Sequence, residues 1–474
     1  MTSITSSKTL TIARIDASIT SSNEIESNFV LQNLPVILFN AKVDTWRASK
    51  DWHLGFNLPE EVNRINFQHI IEHFGEMTAP VYNCKSGHCI TLSVADFLQT
   101  WQKYTTSTTS STASSKVRGP PLRYMKDWHL VRDFPEYHAY DTPEPFVTDW
   151  LNDWWTLPDG RKLWATTNNI EHNNNDYRFC YMGCKGTYTG LHHDVMNSFS
   201  WSTNIIGRKL WRLFPPSETH KLYHIQFKDQ LVEDTRNNMY DAKNFPNVKQ
   251  AIYIEYIQQE GEIMFVPSGW HHHVHNLDDC ISINHNWLNG CCINNVWEYI
   301  EEKWKATKAV ISHLEEAMDE IEFVECCSKI MGADSGLTPN EVVAMLMFWK
   351  KRLMTRKDQN ENEKDVNESD VKATAATAAT AATAATAATA ATAVTATATE
   401  LHDGSEERLN CVIERCLELW PWTIKEMKPD NVNLNSIQSD NVTNDSFVAK
   451  KTKKDNKSNN PDSDILDRNL IFNF

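Results

Sequence analysis

Between residues 120 and 290 the chain is cut into short runs of alternating apolar and polar residues. They are "YRFCYMG", "FSWSTNIIG", "KLWRLFPP", "AIYIEYIQQEGE", "IMFVPSG" and "CISINHNWL", broken by Gly, Pro, Asn or Asp. Runs of that length and period read as strands, and several at close spacing need facing sheets or a closed barrel to bury their apolar sides. The expected fold is mainly β, a sandwich or barrel. All but three of the seventeen tryptophans lie between Trp46 and Trp304, so the densest core belongs to the first three hundred residues.

Helical periodicity flanks this region. "NFVLQNLPVILFN" reads as a short helix feeding a strand, with Pro35 at the entrance. "NFQHIIEHFG" (66–75) puts Phe67, Ile70, Ile71 and Phe74 on one stripe, and "SVADFLQTWQKY" (93–104) forms a second such helix. From 293 the 3.6-residue period returns and continues to about 355. The expected organisation is a disordered lead (1–24), a catalytic domain (25–295) with a helical and strand extension at its N-terminal side, and C-terminal helices (296–355). A Ser/Thr-rich insertion (105–116) interrupts the domain. Beyond it come a low-complexity linker with an Ala-Ala-Thr repeat (356–400), a short helix (401–428) and a disordered tail (429–474). The repeat offers no stripe of large apolar residues to dock, so it reads as an expanded insert.

A net charge of −16 argues against a protein that lives by holding nucleic-acid phosphates, and "KKTKK" (450–454) reads as a solvated tail. The eleven cysteines are scattered, without a second pair at zinc-ribbon spacing, which favours free thiols in a reducing compartment. No apolar run is long enough to span a bilayer. The first fifteen residues carry Ser/Thr, Lys and Arg without an acid, as transit peptides do. The reading adopted is a soluble cytoplasmic protein, with the nucleus as the other compartment. The oligomeric state stays open.

The chemistry gathers in "TGLHHDVMNSFSWSTNIIGRKLWRLFPP" (189–216). On extended backbone, residues two apart share a face, so His192 and Asp194 point one way and His193 the other. One imidazole beside one carboxylate is two-thirds of the 2-His-1-carboxylate set that holds non-haem Fe(II) and leaves positions open. Alone, an H-x-D triplet is common. In the next strands Ser200, Ser202 and Asn204 share a face, and Lys209 alternates onto the side of Trp211 and Leu213. A lysine there either snorkels to the rim, pairs with a protein carboxylate, or grips an anionic ligand. The third donor must come from a distant strand, and "GWHHHVHNLDDCISINHNW" offers His272, with His271 as its rival. His272 shares parity with Asn276, opposite to His271, His273 and His275. Ser282, Asn284 and Asn286 give the following strand a polar face, where a plain core strand would leave buried groups to satisfy.

"GLHHDV", "SFSWSTNIIGRKLWRLFPP", "VPSGWHHHVHNLDDCISINHNW" and "YMKDWHL" together resemble the Jumonji C (JmjC) hydroxylases, over about residues 25 to 355. The resemblance implies a double-stranded β-helix (jelly-roll, cupin-like) with flanking helices, Fe(II) and 2-oxoglutarate as cofactors, and O2 as cosubstrate. Carried over residue by residue, His192, Asp194 and His272 match the metal ligands. Lys209 matches the lysine that binds the distal carboxylate of 2-oxoglutarate, with Thr189 assisting. Ser202, Asn284 and Asn286 fall at pocket positions that vary within the family. Where close relatives usually carry a small residue, His193 stands between the ligands, facing away by parity. The branch most resembled is the one that hydroxylates a lysine of the translation termination release factor, which implies a protein substrate with a basic side chain. Trp201 and Trp270 are candidate walls against self-oxidation. Two other readings use the same scaffold: a histone lysine demethylase, against which stands the lack of a cysteine-rich zinc reader, and a non-catalytic binding scaffold, against which stands the full ligand set.

Overall fold

Each alternating run finds a partner on both sides, and the pairing sorts them into two sheets. The computed structural model describes residues 9–55, 64–109, 122–170, 175–236, 239–355, 405–420 and 423, all within the unit Met1–Thr423. Six strands precede the central runs: β1 (Thr9–Leu10), β2 (Ala13–Asp16), β3 (Val36–Phe39), β4 (Thr78–Asn83), β5 (Cys89–Ser93) and β6 (Arg123–Trp128). Eight follow. They are β7 (Arg178–Gly183), β8 (Tyr188–His192), β9 (Phe199–Ile206), β10 (Lys209–Phe214), β11 (Tyr253–Gln258), β12 (Ile263–Val266), β13 (His271–Asn276) and β14 (Cys280–Trp287).

One sheet runs β1-β11-β10-β13-β8 and the other β2-β3-β12-β9-β14-β7-β6-β4-β5. Strands β7 to β14 divide four and four, and the chain crosses between sheets at every step except β10 to β11. That winding is the jelly-roll, the expected double-stranded β-helix. The inner faces meet in a cluster of Trp211, Leu213, Ile254, Met264, Trp270 and Val274. On the outer face of β9 and β14, Trp201 packs against Trp46 and Tyr140 at centroid distances of 6.2 and 5.5 Å. Trp201 is therefore not a wall of the cavity, contrary to the sequence reading, while Trp270 belongs to the inner core.

Several boundaries differ from expectation. Residues 9–16 are not a disordered lead: β1 pairs in parallel with β11 and β2 with β3, and Arg14 Nε donates to Glu262 Oε1 at 2.8 Å. Strands of two and four residues are too short to show a period, and their partners lie far along the chain. The second amphipathic helix runs Val94–Thr109, into the Ser/Thr-rich insertion, because threonine lowers helix propensity only modestly and an established helix propagates cheaply. The remainder of that insertion lies outside the described residues. The region from 129 to 170 carries three short α-helices rather than strands, Leu130–Asp133, Trp150–Thr156 and Arg161–Thr167. Asp149 caps the second of these by accepting from the Leu151 and Asn152 amides, and its apolar face buries Trp150, Trp154 and Trp155.

C-terminal helices cover Ile293–Val310, Glu320–Ser335 and 339–355. Helix Ser405–Leu419 leads into Trp420, whose buried ring meets Trp297 and Trp304 at 5.5 and 5.8 Å. The linker 356–400, the tail 429–474 with its lysine run, and the first eight residues lie outside the described residues. Among those described, no helix is long and apolar enough to cross a membrane.

Candidate metal centre

Strand β8 makes its last ladder contact at His192, opposite His272 of β13. The backbone stays extended through Asp194 (φ −67°, ψ 154°), so the alternation that puts His192 and Asp194 on one face outlasts the strand itself. Left-handed Met196 and Asn197 then turn the chain into β9. One donor atom each from His192, Asp194 and His272 lies within 4.8 Å of the other two. His271 is not part of this group. Its ring turns to the opposite face, 5.0 Å from His193, which also meets Tyr299 at 5.7 Å.

Hydrogen bonds outside the donor set fix which atoms face inward. His192 Nδ1 donates to the Gly190 carbonyl at 2.8 Å, and His272 Nδ1 to the Trp270 carbonyl at 3.1 Å. A carbonyl only accepts, so both protons sit on Nδ1 and both Nε2 lone pairs are left for a metal. Ser200 Oγ donates to Asp194 Oδ2 at 2.7 Å, holding the carboxylate with its other oxygen available. The Trp211 ring stacks on His272 at 5.6 Å, and its Nε1 donates to Gln258 Oε1 at 2.8 Å. Burial, aided by the neighbouring His272, holds the His192 imidazole far below the usual histidine range, which keeps it neutral and fit to coordinate. Two imidazoles presenting Nε2 and one carboxylate at this spacing fit a divalent first-row ion such as Fe(II). Replacing Ser200 by Ala is expected to weaken Fe(II) binding by about 10–100-fold, the usual cost of losing a group that orients a ligand. A Fe(II) titration of the purified variant checks it.

Lys209 starts β10 four positions before Leu213, which pairs with His272. The offset is about 13 Å along the strand, and the lysine stem spans part of it. Its Nζ donates to Ser282 Oγ at 2.5 Å and to Tyr124 Oη at 3.5 Å. The residue is 2% exposed, and among the described residues no carboxylate pairs with it. Of the three options the sequence left for this lysine, burial removes snorkelling, and no carboxylate among the described residues supplies the second. Burial pulls its pKa down to about 8, the cost of holding an ammonium on the inner face with hydroxyl acceptors.

The other expected pocket residues distribute along the same inner face. Asn284 Nδ2 donates to Ser282 Oγ at 3.1 Å, beside Lys209. Ser202 stands opposite Asn284 and Met264, with no hydrogen-bond partner for its buried hydroxyl among the described residues. Asn286 lies toward the metal end, opposite Ser200, its Nδ2 donating to Ser198 Oγ at 3.3 Å. Thr189 lies three residues before His192, which strict alternation would put on the wrong face. A bulge absorbs the mismatch, matching Thr189–His192 against Val274–His272, so Thr189 pairs with the inward Val274. Tyr124 and Ser282, which hold Lys209, and Ser200, which holds Asp194, were not singled out as ligand-binding. Ser200 and Ser282 were visible as members of the polar faces, and Tyr124 within "YMKDWHL".

A jelly-roll with two histidines and an aspartate at one end of its inner face, and a buried lysine further in, defines a class. The chain belongs to the cupin-like JmjC family. A cupin-like domain matches residues 22–292. Among curated relatives, the Arabidopsis thaliana "Arginine-specific demethylase JMJ20" is 33% identical over 365 residues, 75% of this chain and 74% of the relative. The human "2-oxoglutarate and iron-dependent oxygenase JMJD4" is 33% identical over 337 residues, covering 70% and 74% of the two chains. Its Drosophila melanogaster homolog is 34% identical over 352 residues, covering 69% and 75%.

Proposed function

We propose that the protein is a 2-oxoglutarate-dependent dioxygenase that uses Fe(II) to hydroxylate a lysine side-chain carbon in the translation termination release factor, acting in the cytoplasm. The observation that carries the oxygenase reading is the convergence of His192, Asp194 and His272 within 4.8 Å, with Lys209 buried and unpaired by any described carboxylate. When bound, iron and 2-oxoglutarate would supply the activation of O2: 2-oxoglutarate would be oxidatively decarboxylated to succinate and CO2, with one oxygen atom of O2 going into succinate and the other onto the substrate carbon. The chain's own work is positional. His192 and His272 offer Nε2, Asp194 offers one oxygen steadied by Ser200, and Lys209 with Tyr124 and Ser282 receives the distal carboxylate. The packed inner cluster around Trp211 and Trp270 excludes water from that end.

A basic substrate side chain is supported by Asp127. A bulge in β6, where Met125 and Trp128 pair with Met182 and Cys180, throws Asp127 into left-handed backbone at φ 62°. Its carboxylate accepts from Tyr181 Oη at 2.7 Å, and Tyr181 lies opposite Ser282 on the inner face. Among the described residues no Lys or Arg pairs with it within ion-pair distance. Strain held at a carboxylate beside the inner face fits a group that meets a cation. Asp127→Asn is expected to raise KM for the protein substrate about tenfold and leave that for 2-oxoglutarate unchanged, measured by steady-state kinetics with each substrate varied.

The deciding experiment incubates the protein with release factor, Fe(II), ascorbate and 2-oxoglutarate and maps modified peptides by mass spectrometry. One added oxygen retained on a lysine supports the proposal. The Arabidopsis relative's name favours a second reading, arginine demethylation, which would instead release formaldehyde and remove a methyl group from a methylated arginine.

A further inference from the structure

The outer face of β13 carries a second cluster of donors. His273 and His275 are two apart on one strand and project together, opposite to the inward His272 and Val274 between and beside them. The long connection from β10 to β11 passes over this face, packing Leu222, Val232 and Phe245 against Leu191 and Phe214. The Leu191 amide donates to the Glu233 carbonyl at 2.7 Å, which seats the next residue, Asp234, beside the two imidazoles. His273 Nδ1 and His275 Nε2 are 3.3 Å apart. Asp234 Oδ1 is 3.6 Å from the first, and its Oδ2 is 3.7 Å from the second. All three residues are buried, at 5%, 1% and 4% exposure.

The geometry points to a second divalent-metal site formed by Asp234, His273 and His275. Donors bonded at about 2.0–2.1 Å to a tetrahedral ion stand roughly 3.3–3.5 Å apart, and this trio needs only small shifts to reach that spacing. The other nitrogen of His273 already has its partner: Nε2 lies 3.0 Å from Thr235 Oγ1, the outer hydrogen bond that fixes a ligating imidazole. Arg236 grips both oxygens of Asp234, and Arg212 donates to the Thr235 carbonyl, so the surroundings are cationic. A nitrogen-rich site with its carboxylate partly neutralised favours zinc-like ions over magnesium or calcium. Such an ion ties the connection to the strand that presents His272 on its other face, and through Glu233 to the strand that presents His192.

The test uses the full chain with His192→Ala and Asp194→Ala, so that two of the three iron donors are gone and the outcome is independent of the oxygenase reading. After stripping with EDTA and a check of folding by circular dichroism, Co2+ is titrated in. The expected result is one equivalent bound with the visible absorption of a tetrahedral ion, displaced by Zn2+ and not by Mg2+. Adding Asp234→Asn, or His275→Gln should the first variant fail to fold, is expected to weaken binding at least tenfold. Absence of stoichiometric binding, or binding unchanged by these substitutions in a folded protein, overturns the site.

Discussion

Asp194→Ala reduces iron-dependent conversion of 2-oxoglutarate to succinate to the background rate, while the protein stays folded. Asp194 is the one carboxylate donor of the trio, and without it two imidazoles remain, an incomplete set for a ferrous ion. The fold has little at stake in the residue. Asp194 follows the last ladder contact of β8, its side chain is half-buried, and its hydroxyl partner Ser200 loses a single acceptor. Succinate release and thermal unfolding, measured on the same preparation, separate the two effects. Turnover comparable to the unsubstituted protein would remove Asp194 from the site.

Lys209→Met separates binding from stability in opposite directions. Losing a charge-assisted bond to the distal carboxylate costs about 2–3 kcal/mol, so KM for 2-oxoglutarate is expected to rise roughly 30–150-fold. The ligand-free protein should become more stable, because a buried ammonium held by two hydroxyls and, at 6.0 Å, the Tyr181 ring gives way to an apolar chain of similar length. Each kcal/mol so gained raises Tm by about 2–4 °C in a domain of this kind. A merely structural lysine would show the reverse, with a lower Tm and an unchanged KM.

The same residue sets a pH dependence. Its folded pKa, near 8, lies below its unfolded value. Below pH 8 the ammonium is present and meets the anion. As pH rises through about 8 the free protein loses that proton, and kcat/KM for 2-oxoglutarate falls. Across the interval from 8 up to the ordinary lysine range, the unfolded chain binds the proton that the folded one has lost, so ligand-free stability rises with pH. Kinetics and thermal melts over pH 7 to about 10 should therefore move in opposite senses.

Alternation made much of this site legible before any coordinates. The period of two placed His192 with Asp194, His272 with Asn276, and Ser282 with Asn284 and Asn286, and the two sheets meet on those faces. Its limits are equally physical. A bulge changes parity without leaving a residue signature, which is why the inward position of Thr189 rests on the family resemblance and the left-handed turn of Asp127 went unseen. Trp201 was misplaced because an apolar side chain on a jelly-roll strand can face either the interior or a covering layer, here Trp46 and Tyr140. The strands at 9–16 and the docking of Asp234 depend on partners hundreds or tens of residues away, which no local pattern encodes.

The central claim is that three side chains surround one ferrous ion while Lys209 holds the far end of the cosubstrate. A crystal structure with Mn(II) and an inert 2-oxoglutarate analogue tests it directly. The expected result is one ion bonded to His192 Nε2, Asp194 and His272 Nε2, with Lys209 Nζ on the distal carboxylate at the about 2.7–2.9 Å of a charge-assisted bond. An ion that leaves His272 uncoordinated, or an analogue whose distal carboxylate lies away from Lys209, would contradict it.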